Sequence, residues 1–298
     1  MRIVFLIKRS AQSYFYVNSV QEKFNVIKVI EEVPDQITQS TNYGILPRLK
    51  KAIRNHSLRT FLMAFLDKII VSLNAVNREQ SVRDDNVLRA KILGKKSNGL
   101  NTKLSTIKFR DINSKDVKKL LNQLKPDLIL LQGTSIVKQT TLPKNILTLN
   151  IHPGLTPYYR GGGSVLWALI NWDPYNIGCT VHKANDSSDA GDIISQERLI
   201  PKSDDTWYGI NLKLNKIATG LVIEIIESLK LGKNLKFVKQ DLKLGRCYYH
   251  AHGQHAKEFT RSYIKKIEKD NKISEMLKRP SSKYQYPIVK FNNAKKSI

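Results

Sequence analysis

Two cysteines in 298 residues, Cys179 and Cys247, exclude a disulfide-stapled framework, and no C-x-x-C pair offers a thiolate metal site. A reducing, cytoplasmic setting fits that usage. Long apolar runs are also scarce. The N-terminal MRIVFLIKRS has too short an apolar stretch for a signal peptide, and the later run TFLMAFLDKIIVSL is broken by Asp67 and Lys68. Neither secretion nor a membrane span is expected. Acidic side chains number only 25 against 50 basic, a formal charge of +25. The excess is regional: thirteen basic and four acidic in 45–104, eighteen and five in 230–298, but fourteen and twelve in 105–229. Compositional drift toward Lys would have enriched the middle as well. A basic insert and a basic C-terminal segment point to an anionic partner: nucleotide phosphates, an acidic membrane surface or RNA.

What is present is enough hydrophobic residue, 41%, for one large core or a core with an appendage. RIVFLI reads as a buried strand, followed by a helix to about residue 23 and a second strand at NVIKVIEE. Residues 36–103 interrupt this βαβ opening with a helical composition, and SNGLN at 97–101 reads as the exit loop. The alternation resumes with a short strand at TIKF, a helix beginning at Ser114, and strands DLILLQG and ILTLNI. SVLWALIN reads as a short helix, GCTVHKA and DIISQERLI as strands. Asp204 and Asp205 are placed to cap a helix whose stripe is Ile210, Leu214, Ile217, Leu221, Ile225 and Leu229 and which ends at Gly232. This order predicts a Rossmann-like α/β fold: a mostly parallel sheet flanked by helices, with a helical insertion and a small, basic C-terminal subdomain from 233 to 298.

In such sheets ligands bind beyond the carboxyl ends of the strands. One strand end is LNIHPGLTPYYRGGG. Asn150 and His152 are two apart, so on an extended strand they share a face, and Pro153 with Gly154 ends the ladder directly after them. An amide donor beside an imidazole is a device for stabilising a developing oxyanion. A single histidine is more often a hydrogen-bonded structural residue; its neighbours change that weighting.

NIHPGLTPYYRGGG, GCTVHKA about thirty residues later and the following loop SSDAGDII resemble, in order and spacing, the folate-dependent formyltransferase family. That family includes glycinamide ribonucleotide, methionyl-tRNA and nucleotide-sugar formyltransferases. More weakly the resemblance extends over the βαβ opening and LKPDLILLQGTSIV, covering most of residues 1–230 except the insert. It implies that Asn150, His152 and Asp189 are the catalytic set, Asp192 being the near competitor for the carboxylate. It implies 10-formyltetrahydrofolate as donor, its pterin cradled by Gly133, Thr134, Ser135, Ile136 and Val137 together with Asn185, Asp186 and Asp189. Ordinary turn chemistry is the competing account for each loop residue. Arg160, Gly161 and Gly162 fall on the acceptor side, where glycines permit close approach and Arg meets a phosphate or carboxylate. Lys8, Arg9 and Ser10 stand where the glycinamide ribonucleotide branch has a Gly-rich phosphate loop, and they offer charge in its place.

The acceptor implied is a primary amine of an amino sugar, nucleotide-linked, for cell-surface glycan synthesis. Methionyl-tRNA and glycinamide ribonucleotide remain alternatives, as does hydrolysis of the folate donor, or RNA binding without catalysis on the same fold. The intact Asn150, His152, Asp189 set weighs against a mere binding module, and so against nucleic acid as partner. In the insert, Leu62, Phe65, Leu66, Ile69, Ile70 and Leu73 form a stripe beside Arg54, Arg59 and Lys68. The stripe suits an acidic membrane surface, with peripheral association, or docking on the core or on a second subunit. His250, His252 and His255 invite a metal reading, but no complete ligand set accompanies them and no metal is expected.

Overall fold

The computed structural model describes residues 1–33, 75–248, 272–278 and 285–291. Strand β1 (Ile3–Lys8) is completely buried over its first five residues because both faces of the sheet are covered. Its odd positions Ile3, Phe5 and Ile7 enter one hydrophobic cluster and its even positions Val4 and Leu6 another. The period-2 alternation of a strand therefore divides the core in two.

Helix α1 (Ala11–Gln21) follows, capped by Ser10, whose Oγ accepts from the Ser13 N–H. Strand β2 (Val26–Glu32), helix α2 (Ala75–Leu93), strand β3 (Thr106–Phe109), helix α3 (Lys115–Leu124), strand β4 (Leu128–Gln132) and strand β5 (Leu147–His152) come next. Then come β6 (Tyr159–Gly161), α4 (Ser164–Ile170), β7 (Gly178–Lys183), β8 (Ile193–Arg198), α5 (Trp207–Lys230), β9 (Arg246–Tyr248) and α6 (Lys272–Leu277). The main sheet has seven strands in the order β3-β2-β1-β4-β5-β7-β8. Its first five are parallel, while β7 runs antiparallel to both β5 and β8. This is the mostly parallel, helix-flanked sheet expected from the sequence.

Helices α1 and α5 cover one face and α3 the other. The expected stripe on α5 is core: Ile210, Leu214 and Ile225 are fully buried, and Ile217, Leu221 and Leu229 pack against them. The cap differs from expectation. Thr206 caps α5 by accepting from the Gly209 N–H, while Asp205 accepts from the Lys202 N–H and pairs with Lys213. Threonine wins because it occupies the residue immediately before the first helical turn.

The described part of the insert returns to the core. Leu88 and Ile92 of α2 and Leu93 cluster with Phe15 and Leu212, and Asn18 Nδ2 donates to the carbonyls of Lys96 and Gly99 in the exit loop. The stripe Leu62 to Leu73, its basic neighbours Arg54, Arg59 and Lys68, and His250, His252 and His255 lie outside the described residues. Beyond α5, β9 pairs with β6 in a second, two-stranded sheet. Ile273 and Met276 of α6 enter the main core, and Gln196 N–H of β8 donates to the Val289 carbonyl. No helix among the described residues is long and apolar enough to cross a membrane.

Candidate active site

The sheet's order reverses direction between β1 and β4, so the loops leaving these strands diverge and open a crevice. Lys8 ends β1, Gly133 follows β4, and Asn150 and His152 close β5. A cavity of about 450 Å³ lies there. It is lined by Lys8, by Gly133 through Val137, by Asn150 and His152, by Gly161 and Gly162, and by Asn185 and Asp189. Most of the residues singled out in the sequence thus share one cavity.

Asp189 is its hub. The loop after β7 folds back so that Asp189 adopts the left-handed region, φ 49°, and its carboxylate meets the end of β5. Oδ1 accepts from Asn150 Nδ2 at 3.0 Å; Oδ2 lies 3.3 Å from His152 Nδ1 and accepts from the Gly161 N–H at 2.9 Å. Gly191 makes this fold-back feasible, because a Cβ there would stand 1.8 Å from the Lys183 carbonyl oxygen. Gln240, arriving from beyond α5, donates through Nε2 to the carbonyls of Asp189 and Gly191 and pins the loop from outside. Asp192, the rival carboxylate, contributes its backbone carbonyl to Lys183 N–H in the β7 turn.

His152 is only 4% exposed. Its Nε2 lies 2.9 Å from the Tyr159 carbonyl oxygen and 3.0 Å from Ser164 Oγ. A carbonyl and a carboxylate both only accept, so these contacts on opposite nitrogens call for protons on both, while burial opposes the charge. Burial wins, pulling the imidazole below its ordinary value, with Asp189 and the Tyr159 carbonyl opposing. For Asp189 burial pushes upward, but His152, His182 and the Gly161 N–H outweigh it and hold the carboxylate well below its ordinary range. Asp189 is therefore ionised at neutral pH.

The sequence reading missed His182. It sits directly opposite Asn150 in the antiparallel β5–β7 register. Its Nδ1 donates to the Lys183 carbonyl, and its Nε2 lies 3.2 Å from Asn150 Nδ2 and 3.4 Å from Asp189 Oδ1. The histidine of GCTVHKA was visible as a residue, but its partner depends on a register that no local pattern encodes. Ser164, at the start of α4, likewise carries no local signal that its Oγ meets His152.

Other expected residues have settled differently. Ser10 is committed to the α1 cap, and Arg9 interacts with Tyr14. Asp186 Oδ1 accepts from the Gln139 N–H, and Arg160 does not line the cavity. Arg160 Nε is buried without a hydrogen-bond partner among the described residues. The Ser135 N–H donates to the buried Glu32 carboxylate at 2.7 Å, which braces the loop after β4. No group of His, Cys, Asp and Glu able to hold a metal occurs among the described residues.

Residues 83–226 match the family model described as formyl transferase. A methionyl-tRNA formyltransferase of Desulfotalea psychrophila is 35% identical over 113 residues, 36% of this chain and 33% of that protein. One from Kosmotoga olearia is 29% identical over 164 residues, 54% of this chain and 50% of that protein. The chain thus spans a third to a half of the length of these curated relatives. Among solved structures, an N-formyltransferase from Helicobacter canadensis, in complex with folinic acid and dTDP-3-aminofucose, superposes with a TM-score of 0.51 at 13% identity. The match covers 84% of this chain and 71% of that one, a likeness of fold. The stretch that matches the formyl transferase model, residues 83–226, is the one that carries Asn150, His152, His182 and Asp189.

Proposed function

We propose that the protein transfers a formyl group from 10-formyltetrahydrofolate to the primary amine of an amino sugar carried on a nucleotide. The observation that carries this reading is the convergence of Asn150 and His152 on Asp189 at the rim of the 450 Å³ cavity.

The cavity suits a flat, polar-edged donor. Its volume falls within the range of about 300–1,000 Å³ usual for small-ligand sites. Ile136 is half-exposed at its wall and offers an apolar surface for a ring, and Gly133 to Val137 line the same wall. These residues with Asn185 would hold the pterin. When bound, 10-formyltetrahydrofolate would supply the carbonyl carbon that an amine attacks, the bond from that carbon to the folate nitrogen breaking as the oxyanion collapses and the nitrogen leaving, as tetrahydrofolate, with the proton the amine gives up.

The chain's own groups account for the rest. Charge building on the carbonyl oxygen needs a fixed donor. The Asn150 amide has two N–H groups, one held by Asp189 Oδ1 at 3.0 Å and the other facing His182 Nε2 at 3.2 Å. The longer contact is the one exchanged for the oxyanion. The attacking amine must lose a proton, and the buried, uncharged His152 is the group to take it, through a bound water, with Asp189 at 3.3 Å from Nδ1 orienting the imidazole and favouring its charged form. The Tyr159 carbonyl and Ser164 hold the far side of the imidazole and keep Nδ1 aimed at Asp189. The Gly161 N–H on Asp189 Oδ2 fixes the glycine loop, with Gly162, as the wall the acceptor approaches.

An amino-sugar acceptor is supported by the fold likeness to an enzyme seen with dTDP-3-aminofucose. Methionyl-tRNA is the second reading, favoured by the names of the sequence relatives and by the basic residues of 230–298. Incubation with 10-formyltetrahydrofolate and a panel of amino-sugar nucleotides, with methionyl-tRNA in a parallel arm, separates the two by mass spectrometry. A gain of one formyl group on a sugar nucleotide is the expected result. Gain on methionyl-tRNA alone would replace the first reading with the second.

A further inference from the structure

Strand β6 has two sides. The Tyr159 carbonyl faces His152, whereas its ring enters a second cavity, of about 760 Å³, on the other side of the strand. Aromatic rings dominate its walls. Tyr248 stacks with Trp167 at 5.0 Å and with Tyr159 at 5.6 Å between centroids, and Tyr158 stacks with Tyr286 at 4.2 Å. Lys243 and Arg246, both exposed, supply cationic groups to the same cavity. The turn that carries them is pressed onto the wall at Gly245, where a Cβ would stand 2.1 Å from the Pro157 carbonyl oxygen. Asp173 is the one carboxylate in the lining, and both of its oxygens are engaged: Oδ2 accepts from the Tyr159 hydroxyl at 2.8 Å and Oδ1 from Asn176 Nδ2 at 2.7 Å. It holds a wall ring in place.

Aromatic faces beside two cations match a ligand that is flat at one end and anionic at the other. We propose that this second cavity binds a nucleoside phosphate, with the base against the aromatic wall and the phosphate on Lys243 and Arg246. An uncharged sugar leaves both cations unused, and a purely anionic ligand leaves the aromatic wall unused. The nucleotide is the carrier of the acceptor or a free nucleotide; the carrier alternative rests on the function proposed above. Either one braces β6. Tyr248 accepts through its carbonyl from the Gly162 N–H at 2.7 Å, and the adjacent Gly161 N–H holds Asp189. Occupancy is thereby coupled to the first cavity through one short strand.

The site reports on itself, since two of the chain's three tryptophans, Trp167 and Trp172, line it. Titration with UMP and dTMP, followed by tryptophan emission, is expected to give a saturable change. Uridine is expected to bind about tenfold more weakly. The doubly substituted Lys243→Ala, Arg246→Ala protein is expected to lose about tenfold in affinity for UMP with unchanged circular dichroism. No saturable change with either monophosphate, equal affinity for uridine, or an unaltered double variant would overturn the proposal. Competition of UMP or dTMP against an amino-sugar nucleotide in formyl transfer identifies the carrier; saturable binding without competition identifies a free nucleotide. Formyl transfer to a sugar nucleotide with silent tryptophans removes this site and leaves the proposed function standing. A tryptophan response in a protein that transfers no formyl group does the reverse.

Discussion

Asp189 Oδ1 accepts a 3.0 Å hydrogen bond from Asn150 Nδ2, across 39 residues of sequence. The bond closes a loop onto a strand end and makes one carboxylate the common partner of Asn150, His152, the Gly161 N–H and, at 3.3 Å, Ser188 Oγ. A surface aspartate needs none of this. This gathering of donors on one buried carboxylate is the geometry on which the proposed formyl transfer rests.

If the Asn150 amide stabilises the oxyanion, Asn150→Ala lowers kcat by about 100-fold or more while donor binding stays within a few fold. Steady-state kinetics beside folinic acid calorimetry separates the two. A parallel loss of binding and rate would make Asn150 a binding residue only.

Replacing the hub has a signed electrostatic consequence. Asp189 raises the His152 pKa against the larger opposing effect of burial, so Asp189→Asn drives the imidazole further down. Nitrogen-15 NMR titration of His152 in both proteins should show that fall, with turnover reduced about 100-fold or more. An unchanged His152 titration would mean the two groups are not coupled.

Stability should decline on acidification. His152 has a folded pKa below its unfolded one, so the unfolded chain takes up the proton first as pH drops through about 6.5. Stability is therefore full above that pH and decreases below it. Asp189 is also lowered; its contribution is present above the ordinary aspartate value of about 3.9 and is lost progressively as pH falls toward its folded value. Urea unfolding at pH about 7.5 and about 5.5 should show a smaller decrease for His152→Gln than for the unsubstituted protein. Equal decreases would remove His152 from the account.

Gly154 lies under the imidazole: a Cβ there would stand 2.4 Å from His152 Nε2 and 2.6 Å from Ser164 Oγ. Gly154→Ala should displace the ring, costing about 1–3 kcal/mol of stability and most of the activity. Thermal melts and initial rates measure both; full activity would show that the imidazole's position is not critical.

The sheet was legible because β1, β4 and β5 are apolar runs separated by helix-period segments, and Asn150 with His152 was legible because a strand repeats every two residues. Asp189 came only from resemblance, since nothing local announces that its loop doubles back at φ 49°. His182 was hidden in strand register, and Gln240 and Tyr248 in long-range docking of the segments after α5. Three-residue strands such as β6 and β9 carry no readable period. Ser10 misled for a simpler reason: the hydroxyl that suits a phosphate also suits a helix cap.

The most direct measurement is release of tetrahydrofolate from 10-formyltetrahydrofolate, followed by absorbance with and without an amino-sugar nucleotide, in the unsubstituted protein and in His152→Ala. Acceptor-dependent release in the former and its near-complete loss in the latter, with folinic acid still bound by both, is the predicted result. Release at equal rates in the two proteins would contradict the role given to the residues around Asp189, and release independent of acceptor would make the protein a hydrolase.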